Sequence, residues 1–508
     1  MYILSFNCYF ICIMIHILYL FLFNIYILLN IINYYMKTMT ILKSVLIFFI
    51  ILLIFGYYKV KQNNIFLNYY FFDANGTTPP NFSTLLSYTM HSHMGNLSSS
   101  YSKNAKQLIK ETKHTLNTWT NSHKYHTIFN SGASEGNNYI LRSLSNKLCG
   151  DSKIEIPHFI ISSYEHKTSI TCSNYLNDCG NIEVSFIKPD IYGIIDPKTL
   201  LKLIKYNTRL ISIMFINNEI GCKNNIEELG RLIHKVSPNT FFHSDAVQGI
   251  GKYKIDMENN FIDAISISMH KLYGLPGLGS LIISPRLCNE LHNHEQISGT
   301  QFRGFRGGTE NVAGIISANK SLSATFTNRE QKNKHLLSMK LSIINNMKSY
   351  MNLIPYDIFV NQLDDFLPMH SPYFKDYTKT SFCILGPMSN DIPDPLKSSP
   401  NTIFVSFINT WMENYDEKIC GIILKDYLYD NKIIVSIGSA CNTESEKPSH
   451  VLNSINAPKI IRSSIIRISL MDSNTKSQCN YLCKMIKKGI NKQLHDIKFK
   501  KNKTMTTK

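Results

Sequence analysis

From position 64 onward, short runs of β-branched and aromatic residues recur between longer stretches with helical spacing. The runs read "HTIFNSG", "HFIISSYEH", "RLISIMFIN", "TFFHSD", "FIDAISIS" and "GSLIIS"; "NIEELGRLIHKV" is one of the helical stretches. Continuous apolar runs of this length suit strands covered on both faces. Their alternation with helices predicts an α/β fold with a largely parallel sheet. Two regions break the rhythm. Asn361 to Ser399 is rich in Pro and Asp, has no sustained period, and reads as an insertion or long loop. From Lys484 the chain is lysine-rich with a single acid, Asp496, and reads as a solvated basic tail over 484–508.

The N-terminus follows another pattern. Residues 1–35 are apolar, without Lys, Arg, Asp or Glu, yet carry Asn7, His16, Asn24, Asn30 and Asn33. Met36 and Met39 stand ahead of a cleaner apolar stretch, so translation is expected to begin at one of them. That stretch, 41–58, reaches membrane-spanning length with Lys43 snorkelling, and predicts a transmembrane anchor within a hydrophobic region 1–62. Lysines on both sides leave its orientation open.

At 508 residues the chain can bury a sizeable core, and 44% hydrophobic with 18% charged residues is a globular balance. The net charge of +17 fits either acidic partners or a general lysine bias. Lysine is abundant everywhere, so bias is the reading adopted and no direct nucleic-acid binding is expected. Twelve cysteines are scattered without paired zinc spacing, which predicts no metal site and a reducing, cytosol-like compartment for the catalytic part. Cys479 and Cys483, four apart, would share a helix face and read as a surface coincidence.

Three features carry chemistry. Asp245 ends the apolar run "TFF", and Lys271 follows "AISIS" and precedes a glycine-rich turn. Both fall at strand C-termini, where α/β folds build sites. A lysine there can form a Schiff base, and an aspartate can hold a pyridinium nitrogen. "NSGASEGNN" supplies a strand end, a tight turn and a helix start, a cradle for phosphate that Ser134 can complete. Finally, "VSIGSACNTESEKPSH" sets Cys441 among small polar residues, unlike a packed core thiol.

In this order the motifs match a known family. "FFDANGTTPP", "SGASEGNN", "SYEHKTS", "FINNEIG", "HSDAVQGIGK", "SMHKLYGLPGLGSL", "FRGFRGGTEN", "SIGSACNTESEKPSHVL" and "SSIIRISL" span roughly Phe71 to Leu470. Over that length the chain resembles the pyridoxal-phosphate cysteine desulfurases of the class V aminotransferase superfamily. The resemblance implies a fold-type I transferase and a homodimer. Its large cofactor domain would be 86–329, and a smaller α/β domain would be built from 63–85 and 330–483.

The resemblance also implies residue roles. Lys271 matches the lysine that carries pyridoxal 5'-phosphate, Asp245 the partner of its ring nitrogen, and Gln248 a contact of its ring hydroxyl. His166 matches the histidine stacked on the ring, a candidate proton carrier, and Asn218 lies beside it. Ala133, Ser134, Ser268 and His270 match phosphate contacts, and Thr309 a threonine that reaches the neighbouring subunit's phosphate. Arg467 matches the grip on the substrate carboxylate, and its planar fork suits that task. Cys441 matches the cysteine that takes sulfur from L-cysteine and carries it, as a persulfide on a mobile loop, to a scaffold of iron–sulfur assembly or a tRNA-thiolation protein.

Departures are few: Met269 stands where glycine is usual before the His-Lys pair, and Leu97 where proline is usual. The common Gly-Arg pair after "SSIIRISL" is missing, and the C-terminal region does not look like the usual scaffold-binding end. No catalytic group is lost. Selenocysteine lyase, with the same fold and cofactor, is the nearest alternative. A membrane-tethered non-catalytic platform would not need this set of residues, and a plain aminotransferase would not need Cys441.

Overall fold

The computed structural model describes residues 68–506, apart from 96, 98, 146–155, 292–300, 361–379, 390, 410–417 and 438–448. The anchor expected over 41–58 and Cys441 lie outside the described residues. Among the described residues no helix is long and apolar enough to cross a membrane.

The quoted apolar runs become strands, each short and almost wholly buried. They are β2 (His126–Asn130), β3 (His158–Ser162), β5 (Thr208–Ser212), β6 (Phe241–Asp245), β7 (Ala264–Ser268) and β8 (Gly279–Ile283). With β4 (Glu183–Ile187) they form a seven-stranded sheet in the order β2-β8-β7-β6-β5-β3-β4. Pairing is parallel from β7 through β4, and β8 runs antiparallel to both β2 and β7. So the sheet is mostly parallel, as the alternation predicts, with one reversed strand inside it.

Side chains of period two divide between two cores. Ile160, Ile211, Phe242 and Ile265 face one layer, where they meet α2 (Lys103–Thr120), α5 (Ile226–Val236) and α6 (Val312–Phe326). Phe159, Ile161, Leu210 and Phe241 face the other, against α3 (Ala133–Leu144) and α4 (Lys167–Asp178). Both faces are therefore covered, the condition under which parallel strands read as unbroken apolar runs. Helix α5 shows how the sequence dictates its part. Asn225 caps it by accepting from Glu228 N, Glu227 and Glu228 occupy its first turn, and His234 and Lys235 its last. Ile226, Leu229, Gly230 and Ile233 make its buried stripe.

A second sheet is built from β9 (Asn352–Leu353), β10 (Ser381–Leu385), β13 (Thr402–Ile408) and β15 (Ile465–Ser469), in the order β15-β13-β10-β9. Strand β13 runs antiparallel to both neighbours. Phe382, Ile403, Val405, Ile466 and Ile468 pack with α7 (Arg329–Lys348), α8 (Gly421–Asp430) and α9 (Lys476–Thr506). The opposite face, with Cys383, Leu385 and Phe404, joins the core of the large sheet. The N-terminal β1 (Tyr70–Phe71) pairs with β14 (Ile433–Ile434) in a separate two-stranded sheet, and an isolated bridge from Asp73 to Ser469 joins the start of the described chain to the second sheet.

Three expectations need correction. The region 361–399 is not all insertion: Ser381–Leu385 is a buried inner strand, and only a small hairpin, β11 (Met388–Ser389) with β12 (Ile392–Pro393), and a connection follow it. The segment from Lys484 is not a loose tail but part of the long helix α9. Met485, Ile486 and Ile490 sit in the core while Lys484, Lys487, Lys488, Lys492 and Lys498 are exposed. Cys479 and Cys483 are core residues of the same helix rather than surface ones. No cluster able to hold a metal occurs among the described residues.

Candidate active site

Strands β3, β5, β6 and β7 run in one direction, and β2 shares it because both β2 and β7 oppose β8. Their C-terminal ends therefore share one edge of the sheet, the edge where α/β folds form clefts. Asp245 closes β6, Ser268 closes β7, and Lys271 follows within a short 3₁₀ turn, Met269–Lys271. Ser131–Ser134 follows β2, Glu165–His166 follows β3, and Asn217–Asn218 follows β5.

Lys271 directs its Nζ to two main-chain carbonyls, Asn75 O at 2.7 Å and Gly76 O. Burial, and next the Arg467 guanidinium, push its amine down to about 8, against the opposing pull of Asp73 and Asp245. A half-buried lysine poised near neutrality can act as base and nucleophile, which an ordinary surface lysine cannot. Asp245 is buried; it accepts from Asn137 Nδ2 (2.9 Å) and Val247 N (3.1 Å) and forms no ion pair among the described residues. A buried carboxylate held only by neutral donors suits a protonated ring nitrogen. Gln248 is likewise buried, with Nε2 donating to Asn75 O at 3.1 Å.

The turn expected to cradle phosphate lies at the start of α3. Ala133 N donates to Ser268 Oγ at 2.8 Å, and Ser134 Oγ bonds Thr168 Oγ1 at 3.1 Å. Thr168 Oγ1 in turn meets His166 Nδ1 at 2.8 Å, so the exposed His166 ring is linked to the cradle while it caps α4. A Cβ on Gly279 would fall 2.5 Å from Gly132 Cα and 2.4 Å from Ile267 O; only glycine lets β8 pass beneath this turn. His270 bonds Thr77 Oγ1 through Nδ1 at 3.1 Å. Burial, and then Lys271, push its ring down to about 4, so it is a neutral hydrogen-bonding group rather than a cation.

Arg467, in β15, brings the second sheet into the site. Its NH2 donates to Asp73 Oδ1 at 2.7 Å and NH1 to Asn218 O at 3.1 Å. Its Nε is buried and makes no hydrogen bond within the chain. An orphaned guanidinium donor in a cleft is what a carboxylate-bearing substrate would satisfy. Together with the cradle, Asp245 and Lys271, the donor set fits pyridoxal phosphate.

Not every expected residue joins this cluster. Thr309 is exposed and takes no part in these contacts. Cys441 lies outside the described residues, but both flanks of its segment are held at the site. Ser436 exchanges backbone hydrogen bonds with Arg467, Ser449 Oγ donates to Glu219 Oε2 at 2.8 Å, and His450 Nε2 donates to Glu165 O at 2.7 Å. Residues that sequence reasoning missed are Asp73, Asn75, Asn137, Thr168 and Glu165. Glu165, beside His166, is fully buried and pushed up to about 8 by burial, so it is a neutral carboxyl at neutral pH. "FFDANGTT", "SGASEGNN" and "SYEHKTS" flagged these positions only as motif members.

Residues 70–357 match the family described as Aminotransferase class-V. The chain is 30% identical over 392 residues to the cysteine desulfurase IscS of Dictyoglomus turgidum, covering 77% of this chain and 86% of that protein. The cysteine desulfurase IscS of Buchnera aphidicola subsp. Schizaphis graminum is 28% identical over 443 residues, covering 85% and 94%. A solved NifS-like protein superposes with a TM-score of 0.67 at 25% identity, covering 83% of this chain and 99% of that one. A structure of SspA in complex with cysteine gives 0.61 at 25% identity, covering 80% and 100%.

Proposed function

Because the chain belongs to the class-V aminotransferases and is a pyridoxal-phosphate-dependent cysteine desulfurase, we propose that it converts L-cysteine to L-alanine and carries the sulfur away as a persulfide on Cys441. The observation that carries this reading is the convergence on Lys271 Nζ of the Asp245 carboxylate and of Arg467, whose Nε alone is left without a hydrogen bond. Lys271, Asp245, Gln248, Ser268, His270 and the start of α3 would hold the cofactor, which supplies an electron sink for the α-carbon.

The chain's own groups do the rest. Arg467 takes the substrate carboxylate and orients the amino acid. Lys271 Nζ removes the α-proton, and Asp245 keeps a proton on the ring nitrogen so that the sink stays electron-poor. His166, at the mouth of the cleft, moves protons at the substrate amine. Cys441 Sγ, as thiolate, attacks the substrate sulfur. A Cys441 S–S bond forms as the substrate Cβ–S bond breaks. The electron pair stays on carbon, which takes a proton and becomes the methyl of alanine. An ordinary thiol has a pKa of about 8.5, so only a few per cent is thiolate at neutral pH unless the site lowers it.

The reading extends to setting. The apolar stretch 41–58 serves as a membrane anchor, with the catalytic part in a reducing, cytosol-like compartment; cysteines scattered along the sequence without paired spacing support the latter. The exposed Thr309 supports a homodimer in which it reaches the neighbouring phosphate site. The sulfur goes to a protein acceptor of iron–sulfur assembly or tRNA thiolation. The test is to supply L-cysteine and a thiol reductant to the purified full-length protein and measure products. Equal amounts of alanine and sulfide are expected. Pyruvate, or no product from cysteine, would contradict the reading.

A further inference from the structure

The four residues Asp73–Gly76, between β1 and α1 (Phe82–His91), bond Lys271, Gln248, Asn218 and Arg467 of the site. At their start, Asp73 pairs with Arg467 at 2.7 Å. At their end, the carbonyls of Asn75 and Gly76 receive Lys271 Nζ. Between them Asn75, only 3% exposed, is held through both side-chain atoms and both backbone polar groups. Its Nδ2 donates to Asn218 O (3.0 Å) and Thr402 Oγ1 (2.8 Å), and its Oδ1 accepts from Asn401 Nδ2 (3.1 Å). Its backbone N donates to Ser469 Oγ (3.0 Å), and its carbonyl also accepts from Gln248. Asn218 O is shared between Asn75 and Arg467.

The turn closes on itself through Gly76 N and Thr77 N, which both donate to Asp73 O. A Cβ at position 76 would lie 2.4 Å from Asp73 Oδ2. Glycine is thus what allows the Asp73 carboxylate to fold back beside its own turn and still reach Arg467.

We propose that the Asp73–Gly76 turn is a positioning device of the desulfurase reaction, which fastens the carboxylate-binding arginine and the catalytic lysine into one unit through Asn75. The inference rests on the roles given above to Lys271 and Arg467. Two carbonyls and a nearby carboxylate favour the ammonium form of Lys271, while burial and Arg467 oppose it. Loosening the turn removes the carbonyl acceptors and leaves the opposing influences in place. Lys271 should then become a weaker base, and its Nζ should lose its fixed location.

Asn75→Ala and Gly76→Ala test this, with Asn75→Ser as the milder variant should either fail to fold. In the full-length chain stripped of cofactor, the pH dependence of acylation at Lys271, read by peptide mass spectrometry, reports its basicity without turnover. The wild-type midpoint should lie near 8. The variants should fall below it by about one unit, and the reloaded enzymes should lose about tenfold to hundredfold in kcat/KM. A lowered midpoint with reduced kcat/KM supports the proposal. An unshifted midpoint in the folded variants overturns it, whatever happens to activity. Failure of the wild-type enzyme to use cysteine would instead overturn the functional reading and leave the labelling result intact.

Discussion

Replacing Arg467 by lysine should weaken the grip on substrate and leave the rest of the site standing. Lysine keeps the positive charge, so Asp73 retains a partner and no carboxylate is stranded in the cleft. What disappears is the fork. Arg467 spends NH2 on Asp73 and NH1 on Asn218 O and keeps a buried Nε without a partner. A shorter ammonium offers no second, coplanar donor to a substrate carboxylate. A charge-assisted hydrogen bond contributes about 1.5–3 kcal/mol, which corresponds to roughly 10- to 150-fold in kcat/KM. The carboxylate is held equally before and during the chemistry, so the loss should appear mainly in KM, with kcat changed little. The assay is alanine formation over a range of cysteine concentrations, with cofactor content checked by absorbance. A kcat/KM within a factor of about three of wild type would refute the assignment of Arg467.

Borohydride reduction should fix the cofactor on Lys271 of the wild-type chain and on no residue of Lys271→Ala; a modified peptide elsewhere in the wild type would contradict the lysine assignment. Asp245→Asn should keep the cofactor but slow kcat by about 10²-fold or more, because a neutral amide cannot hold charge at the ring nitrogen; a rate within about threefold of wild type would contradict it. Lys340 is buried in α7, donates to Ser398 Oγ (2.7 Å) and Ser399 O (2.9 Å), and is pushed down by burial from 10.5 to about 7. Between those values the unfolded chain binds the extra proton, so this residue makes stability rise with pH across that window. Lys340→Met should flatten the rise in a plot of Tm against pH; parallel curves for the two proteins would count against it.

Much of the large sheet was legible because its strands are covered on both faces. Such strands read as apolar runs, and six of the seven stood out. Strand β4 did not, since it lies at the sheet edge and "EVSFI" is only partly buried. In the second sheet, "SFCIL" is five residues long and adjoins a Pro- and Asp-rich stretch, which absorbed it into an apparent insertion. Helix α9 was hidden by its lysines. Its apolar residues keep a buried helical face, but the abundance of outward charge resembled a tail.

The site divides in the same way. Asp245 and Lys271 were visible as charges at the ends of apolar strands, where fold geometry concentrates chemistry. Arg467 lies inside an apolar strand and was legible only through resemblance. Asp73 and Asn75 carried no local signal, since their partners lie up to 394 residues away and only folding brings them together. Glu165 likewise stood in the sequence only as a letter of "SYEHKTS"; its burial and neutral state follow from packing.

The central claim, that sulfur leaves the site on Cys441, is tested most directly by locating the persulfide. Full-length protein loaded with cofactor is given L-cysteine without reductant, alkylated, digested and read by mass spectrometry. The account predicts one extra sulfur on Cys441 with alanine formed in equal amount, and no persulfide in Cys441→Ser despite an intact substrate-induced spectral change. A persulfide on another cysteine, with Cys441 dispensable for its formation, would contradict it.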